Sequence, residues 1–199
     1  MEKPAETRYE IHELIRRRWS RRAIDDRSVT AETVGSLFEA ARWAPSSNNA
    51  QPWRFIVARK EEQAEYDRLM SCLVEANAKW AARAPVLILT VAKLMFDNGT
   101  VNRHAFHDVG LATENLVLQA TALGLTTHQM AGFHVDKARA EFKIPEGFDP
   151  VAMIAVGYPG DPSILPDILR ERELKPRVRD ASDRFVYSSE WGHTSPLIR

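Results

Sequence analysis

Residues 16–22 read Arg-Arg-Arg-Trp-Ser-Arg-Arg, five arginines in seven positions with one hydroxyl among them. Phosphate is a natural ligand for such a run: guanidinium forks bind its oxygens bidentately, Ser20 can add a hydrogen bond, and clustered cations are costly to keep unpaired. A solvated basic turn that pairs with Asp25 and Asp26 fits the same residues. Nucleic acid is a third reading. It is disfavoured because 27 Lys plus Arg are balanced by 27 Asp plus Glu, and no second basic stripe accompanies the run.

A second group follows at Pro45-Ser46-Ser47-Asn48-Asn49-Ala50-Gln51-Pro52-Trp53, where two hydroxyls and three amides precede an aromatic ring. These side chains suit the edge of a polar planar ring, or else they satisfy their own backbone in an ordinary turn. Chain order favours the ligand: a cationic cluster for phosphate, then an amide-rich loop for a heterocycle. His104, His107 and Asp108 have the spacing of one helix face, but no further ligands accompany them. Asp108 reads equally as an acid placed for the helix dipole, so no metal is expected. Cys72 falls in the Leu69/Leu73 stripe and reads as a buried structural thiol. His128 and His134 either shape a pocket or lie at the surface. Trp43 and Trp53 are expected in the core, with Trp53 beneath the amide loop.

These groups need elements to position them. Ile11, Leu14, Ile15 and Trp19 repeat at helical spacing and predict a short opening helix that ends near the arginines. Thr30 predicts the cap of a second helix with Val34, Leu37, Phe38 and Ala41 on its buried stripe, stopped by Pro45. Trp53 to Ala58, Val86 to Ala92 and Val151 to Val156 are short, β-branched-rich apolar runs that predict buried strands. Between the first two, Tyr66, Leu69, Met70, Leu73, Val74 and Asn77 predict one helix, in a connection long enough for a crossover. Val109 to Leu123 predicts a long helix with a broad apolar face, stopped by Gly124, and Ile164 to about Arg172 a short one. Strands interleaved with helices give α/β or α+β.

The 199 residues predict a single domain over 1–199, with 175–199 a charged C-terminal extension whose Phe185, Val186, Tyr187 and Trp191 suggest docking on a partner subunit. The most apolar long segment, Ala105 to Gly124, carries Asp108, Glu114, Asn115 and Gln119, so no membrane span is expected. The charged N-terminus lacks a signal-peptide core, and one cysteine forms no internal bridge. A cytoplasmic protein is the expectation.

RRRWSRRAID, then AARWAPSSNNAQPWRFIV, GLATENLVLQATALGL and VAMIAVGYP together resemble the FMN-dependent nitroreductase family, over roughly residues 9 to 176. The pairing of R-x-S-x-R with APSS-x-N-x-QPW is the specific part. The resemblance implies an α+β fold, a central mostly antiparallel or mixed sheet flanked by helices, in an intertwined homodimer with two FMN sites built from both chains. A second subunit would then bury the broad apolar helix and the aromatic tail.

The resemblance further implies that Arg18 and Ser20, with Trp19 between them, meet the FMN phosphate end, and that Arg22 approaches the pyrimidine side of the ring. A cation there offsets the negative charge of two-electron reduction. Pro45, Ser46, Ser47 and Asn49 would come from the other subunit, and Asn77 would bond the pyrimidine edge. Ala131 and Gly132 would offer backbone N–H to flavin N5. Arg172 would close the phosphate site, with Lys175 beside Pro176 and Arg170 as an alternative; Leu174 stands where the family often has Arg. The implied activity is ping-pong hydride transfer from NAD(P)H through FMN to a nitroaromatic, quinone or enone, with no obligatory catalytic side chain. An FMN-binding or storage protein without turnover is the alternative.

Overall fold

A computed structural model of the chain describes residues 2–198. Its elements run α1 (Glu13–Arg17), β1 (Ile24–Asp25), α2 (Ala31–Arg42), β2 (Trp53–Arg59), α3 (Gln63–Cys72), α4 (Glu75–Ala81), β3 (Val86–Lys93), α5 (Ala105–Ala122), β4 (Thr126–Met130), α6 (Val135–Glu141), β5 (Phe148–Pro159) and α7 (Asp167–Leu174). The sheet is antiparallel throughout: β5 pairs with β3 and with β4, β3 with β2, and β1 extends the end of β5.

Strand β3 is buried along nearly its whole length because it has helices on both faces. Its side chains alternate between them, as strand geometry requires. Leu87, Leu89 and Val91 pack with Tyr66, Leu69 and Trp80 of α3 and α4, while Val86, Ile88 and Ala92 pack with α2 and α5. Thr30 caps α2 as expected, its Oγ1 accepting the Thr33 N–H at 3.1 Å, and Val34, Leu37 and Ala41 are buried. The three expected strands are present at or beyond their expected limits.

Several expectations need correction. The helical stretch from Tyr66 to Asn77 is broken at Leu73-Val74 because Leu73 forms an antiparallel bridge with Phe133 and the Val74 N–H bonds the Gly132 carbonyl. The α3–α4 connection does not make a parallel crossover, since β2 and β3 are direct antiparallel neighbours from Trp53↔Ala92 to Arg59↔Val86. Residues 126–130, not expected as a strand, form β4, paired with β5. Only Glu13–Arg17 of the opening helix is helical, and none of its residues is buried. The broad face of α5 is covered within this chain by α2 and the sheet, where Val109, Ala112, Leu116, Val117 and Ala120 are buried. Trp43 is 73% exposed and Trp53 is buried, so only one of the two tryptophans joins the core. Apart from these corrections, the tail folds back on itself through a Tyr187↔Thr194 bridge, with Phe185 and Trp191 exposed on the single chain. Among the described residues no helix is long and apolar enough to cross a membrane.

Candidate functional site

The arginine segment leaves α1 in extended form, and its burial alternates: Ser20 is exposed, Arg21 buried, Arg22 half-buried and Ala23 buried. Three other elements clamp its backbone. From α7, Glu173 accepts hydrogen bonds from the Arg22 N–H at 3.1 Å and the Ala23 N–H at 3.2 Å, although only 2% of the residue is exposed. Backbone N–H groups satisfy a buried carboxylate well, because charge-assisted bonds are the strong ones. The Gly160 N–H at the end of β5 bonds the Ala23 carbonyl at 2.8 Å.

From β4, His128 Nδ1 lies 3.0 Å from the Arg21 carbonyl, and its ring packs 4.6 Å from Trp80. A carbonyl only accepts, so Nδ1 carries the proton. Burial first, and the Arg22 charge second, push the His128 pKa down to about 4. The ring is therefore neutral near pH 7 and leaves Arg22 as the cation of that corner.

Asn77 on α4 meets the chain just past the end of β4. Its Nδ2 donates to the Gly132 carbonyl at 3.0 Å. A Cβ on Gly132 would stand 2.6 Å from Asn77 Nδ2 and 3.0 Å from Val74 Cγ2, so only glycine fits without displacement. Among the described residues the backbone N–H groups of Ala131 and Gly132 have no acceptor, and Ala131 is exposed. The sheet thus ends in two open donors beside an amide.

The amide loop lies elsewhere. Residues 47–49 form a 3-10 turn, with Asn48, Asn49 and Gln51 in left-handed backbone conformations (φ 52°, 53° and 47°). Asn tolerates that region better than most residues. Asp108, buried in the first turn of α5, holds the loop by accepting the Ser47 N–H at 3.0 Å, and Ser46 Oγ accepts the Gln51 N–H at 3.0 Å. The second Asp108 oxygen lies 3.0 Å from His107 Nδ1, so both are committed to the fold. Pro45 and Asn49 are exposed; Ser46 and Ser47 are half-buried.

Helix α5 sets the spacing between these groups. It meets the loop at Asp108, Arg18 at Glu114 (4.0 Å) and Arg17 at the Thr121 carbonyl (3.4 Å). At ~1.5 Å per residue those contacts are spread over roughly 20 Å of helix. Within one chain the structure sets Arg22 beside His128 in the middle of β4, Asn77 beside Gly132 just past the end of β4, and the Pro45 to Asn49 loop against Asp108 at the start of α5.

Arg172 is exposed in the last turn of α7. Arg177, with Arg179 close by, is a C-terminal cation set near Arg18. Its Nη1 donates to the carbonyls of Lys3 (2.8 Å) and Arg16 (3.0 Å), and burial, then the charges of Arg18 and Arg179, lower its pKa. Sequence reasoning missed Arg177, Glu173 and the loop-holding role of Asp108. Glu173 sits in a run of charges, Arg-Glu-Arg-Glu-Leu, that reads as solvated surface. Asp108 could have been found from its place opposite the Ser-Ser pair, but only once the loop's contact with α5 is known.

The model of the nitroreductase family matches residues 15–158. The chain is 34% identical over 146 residues to an uncharacterised 15.4 kDa protein of Mycolicibacterium smegmatis, covering 70% of this chain and 98% of that protein. It is 28% identical over 159 residues, 78% of this chain and 80% of the other, to a Methanothermobacter thermautotrophicus protein named "Putative NADH dehydrogenase/NAD(P)H nitroreductase". Among solved structures, an oxidoreductase containing FMN superposes with a TM-score of 0.88 at 34% identity, over 95% of this chain and 96% of that one. A nitroreductase family protein of Clostridium difficile 630 superposes at 0.69 with 28% identity, over 89% and 97%.

Proposed function

Since this chain belongs to the nitroreductase family, we propose that it is an FMN-dependent oxidoreductase working on NAD(P)H as a homodimer. FMN, when bound, would supply the redox chemistry, taking a hydride from NAD(P)H and passing it to a nitroaromatic, quinone or enone in alternating half-reactions. The observation that carries this reading is the end of β4, where the acceptor-free N–H groups of Ala131 and Gly132 lie beside the Asn77 amide. Such a group of donors fits the polar edge of a flavin ring.

The remaining roles follow from what each residue has to offer. Arg18 and Ser20 would bind the phosphate end with Trp19 between them, and Arg177 joins Arg18 there better than the exposed Arg172 does. Arg22 holds a permanent charge for the pyrimidine side, and neutral His128 fixes the backbone that carries it. Pro45, Ser46, Ser47 and Asn49 sit at the far end of α5, which supports their being supplied by a second copy of the chain. No side chain of the group is needed as an obligatory acid or base.

The test is the visible spectrum of the purified protein, extraction and identification of any flavin, and then NAD(P)H oxidation with a quinone. FMN recovered with acceptor-dependent turnover is expected. A colourless protein that takes up no added FMN overturns the reading, and FMN retained without turnover reduces it to a flavin-binding protein.

A further inference from the structure

The R-x-S-x-R segment has a second face, and Arg21 on it takes no part in the proposed flavin site. Trp19 and Arg21 line a cavity of about 130 Å³ between the N-terminal residues, the end of α5 and the start of β4; Ser20 and Arg22 do not border it. Arg21 is nine-tenths buried, and among the described residues its guanidinium has neither a hydrogen bond nor an ion pair. It only stacks on the Trp19 ring, 4.6 Å from the centroid, a ring that also receives the Lys3 ammonium at 4.7 Å. The Trp19 Nε1–H is itself buried without an acceptor. The Arg21 guanidinium, which feels the charges of Glu173 and Glu2 but bonds neither, and the buried, acceptor-free Trp19 N–H belong to one cavity and leave a place there for an anion.

The surrounding charge points the same way. Arg17 and Arg18 border the cavity and are only loosely paired, with Glu13 at 3.9 Å and Glu114 at 4.0 Å. Glu2 is the single carboxylate among the described lining residues, on the exposed rim; the buried Glu173, which does not border the cavity, also acts on Arg21 and Lys3, and the Lys3 ammonium already donates to the carbonyls of Glu173 and Lys175. The volume equals about four waters at ~30 Å³ each. It is far below the ~300 Å³ at which pockets for heterocyclic ligands begin. A compact tetrahedral anion fits; a ring does not.

We propose that this cavity is a second anion site, which binds a phosphate-class oxyanion through Arg21 with Lys3 alongside it. It does not depend on the flavin reading, because its main ligand faces away from Ser20 and Arg22. The phosphate has two sources: the free anion, or the 2′-phosphate of an NADP-type nucleotide reaching in from outside.

The probe is inorganic phosphate, titrated by calorimetry and by melting temperature into full-length protein saturated with FMN, in phosphate- and sulfate-free buffer. Saturation fills any phosphate contacts that belong to the flavin. One phosphate per chain is expected, with a rise in melting temperature. Arg21→Met should weaken binding at least tenfold while the melting transition without phosphate stays cooperative. Glu2→Gln should bind phosphate severalfold more tightly, because the competing carboxylate is gone. Competition by adenosine 2′,5′-bisphosphate assigns the phosphate to a nucleotide, lack of it to the free anion, and either result keeps the site. No phosphate uptake by the parent, or unchanged affinity in Arg21→Met, overturns the proposal. Should Arg21→Met not fold, unchanged phosphate affinity in Glu2→Gln overturns it instead.

Discussion

Gly132→Ala is the sharpest probe of the site's construction. The new methyl carbon would lie 2.6 Å from Asn77 Nδ2 and 3.0 Å from Val74 Cγ2, and the Gly132 backbone is not left-handed, so the effect is steric alone. Asn77 must swing away and give up its bond to the Gly132 carbonyl. Overpacking costs about 1–3 kcal/mol and the lost hydrogen bond about 0.5–1.5 kcal/mol, so the variant should lose roughly 2–4 kcal/mol. For a chain of this size that is a fall of roughly 5–15 °C in melting temperature. Asn77→Ala alone loses the bond but also removes the obstacle, so it should cost about 1 kcal/mol. The decisive assay is the double-mutant cycle, measured by urea unfolding without FMN. In the Asn77→Ala background the glycine substitution should cost at least ~1 kcal/mol less than in the parent, which is coupling of the size seen between touching residues. Strict additivity would refute the argument that Asn77 is what excludes a side chain at position 132.

Other expectations follow from the same contacts. Asp108→Asn replaces the charged acceptor of the Ser47 N–H and should destabilise the protein by about 1–3 kcal/mol, with weaker FMN uptake in a flavin titration; unchanged melting and uptake would remove Asp108 from the site. His128 has its folded pKa depressed to about 4 from 6.5, so the unfolded chain takes up the proton first as pH falls. Stability should drop by about 3 kcal/mol between pH 6.5 and 4, and His128→Asn, which keeps a donor for the Arg21 carbonyl, should flatten that part of the curve; parallel curves in urea unfolding would count against it. Arg177→Ala should weaken FMN binding about tenfold, equivalent to about 1.4 kcal/mol, whereas Arg172→Ala should change it less than about twofold. Replacing Arg18 and Ser20 together should strip FMN while the melting transition stays cooperative; full flavin retention would sink the phosphate role of the arginine cluster.

Local chemistry was legible wherever a residue's environment follows from its neighbours in sequence. Thr30 announces a cap and the β-branched runs announce strands, since both effects act over a few residues. The Leu73-Val74 break was not legible. The apolar repeat continues through it, and it arises from a bridge to Phe133, 60 residues away, a contact the local pattern does not encode. Strand 126–130 was hidden for a related reason. Thr-Thr-His-Gln-Met lacks the apolar alternation of the other strands, and pairing with β5 supplies the stability that its own composition does not.

The sequence by itself determined which chemistry the chain carries: a run of guanidiniums, an amide-rich loop and an Asn at fixed places, in motifs whose order pointed to the family. Only the tertiary structure decided how those groups are used. It directed Arg22 and Arg21 to opposite faces of one extended segment, chose Arg177 over Arg172 as a cation near Arg18, and buried Glu173 under two backbone N–H groups. The physical reason is that a side chain's charge and hydrogen-bonding capacity are fixed by its covalent structure. Its solvation and its partners depend on residues that chain topology brings together from far along the sequence.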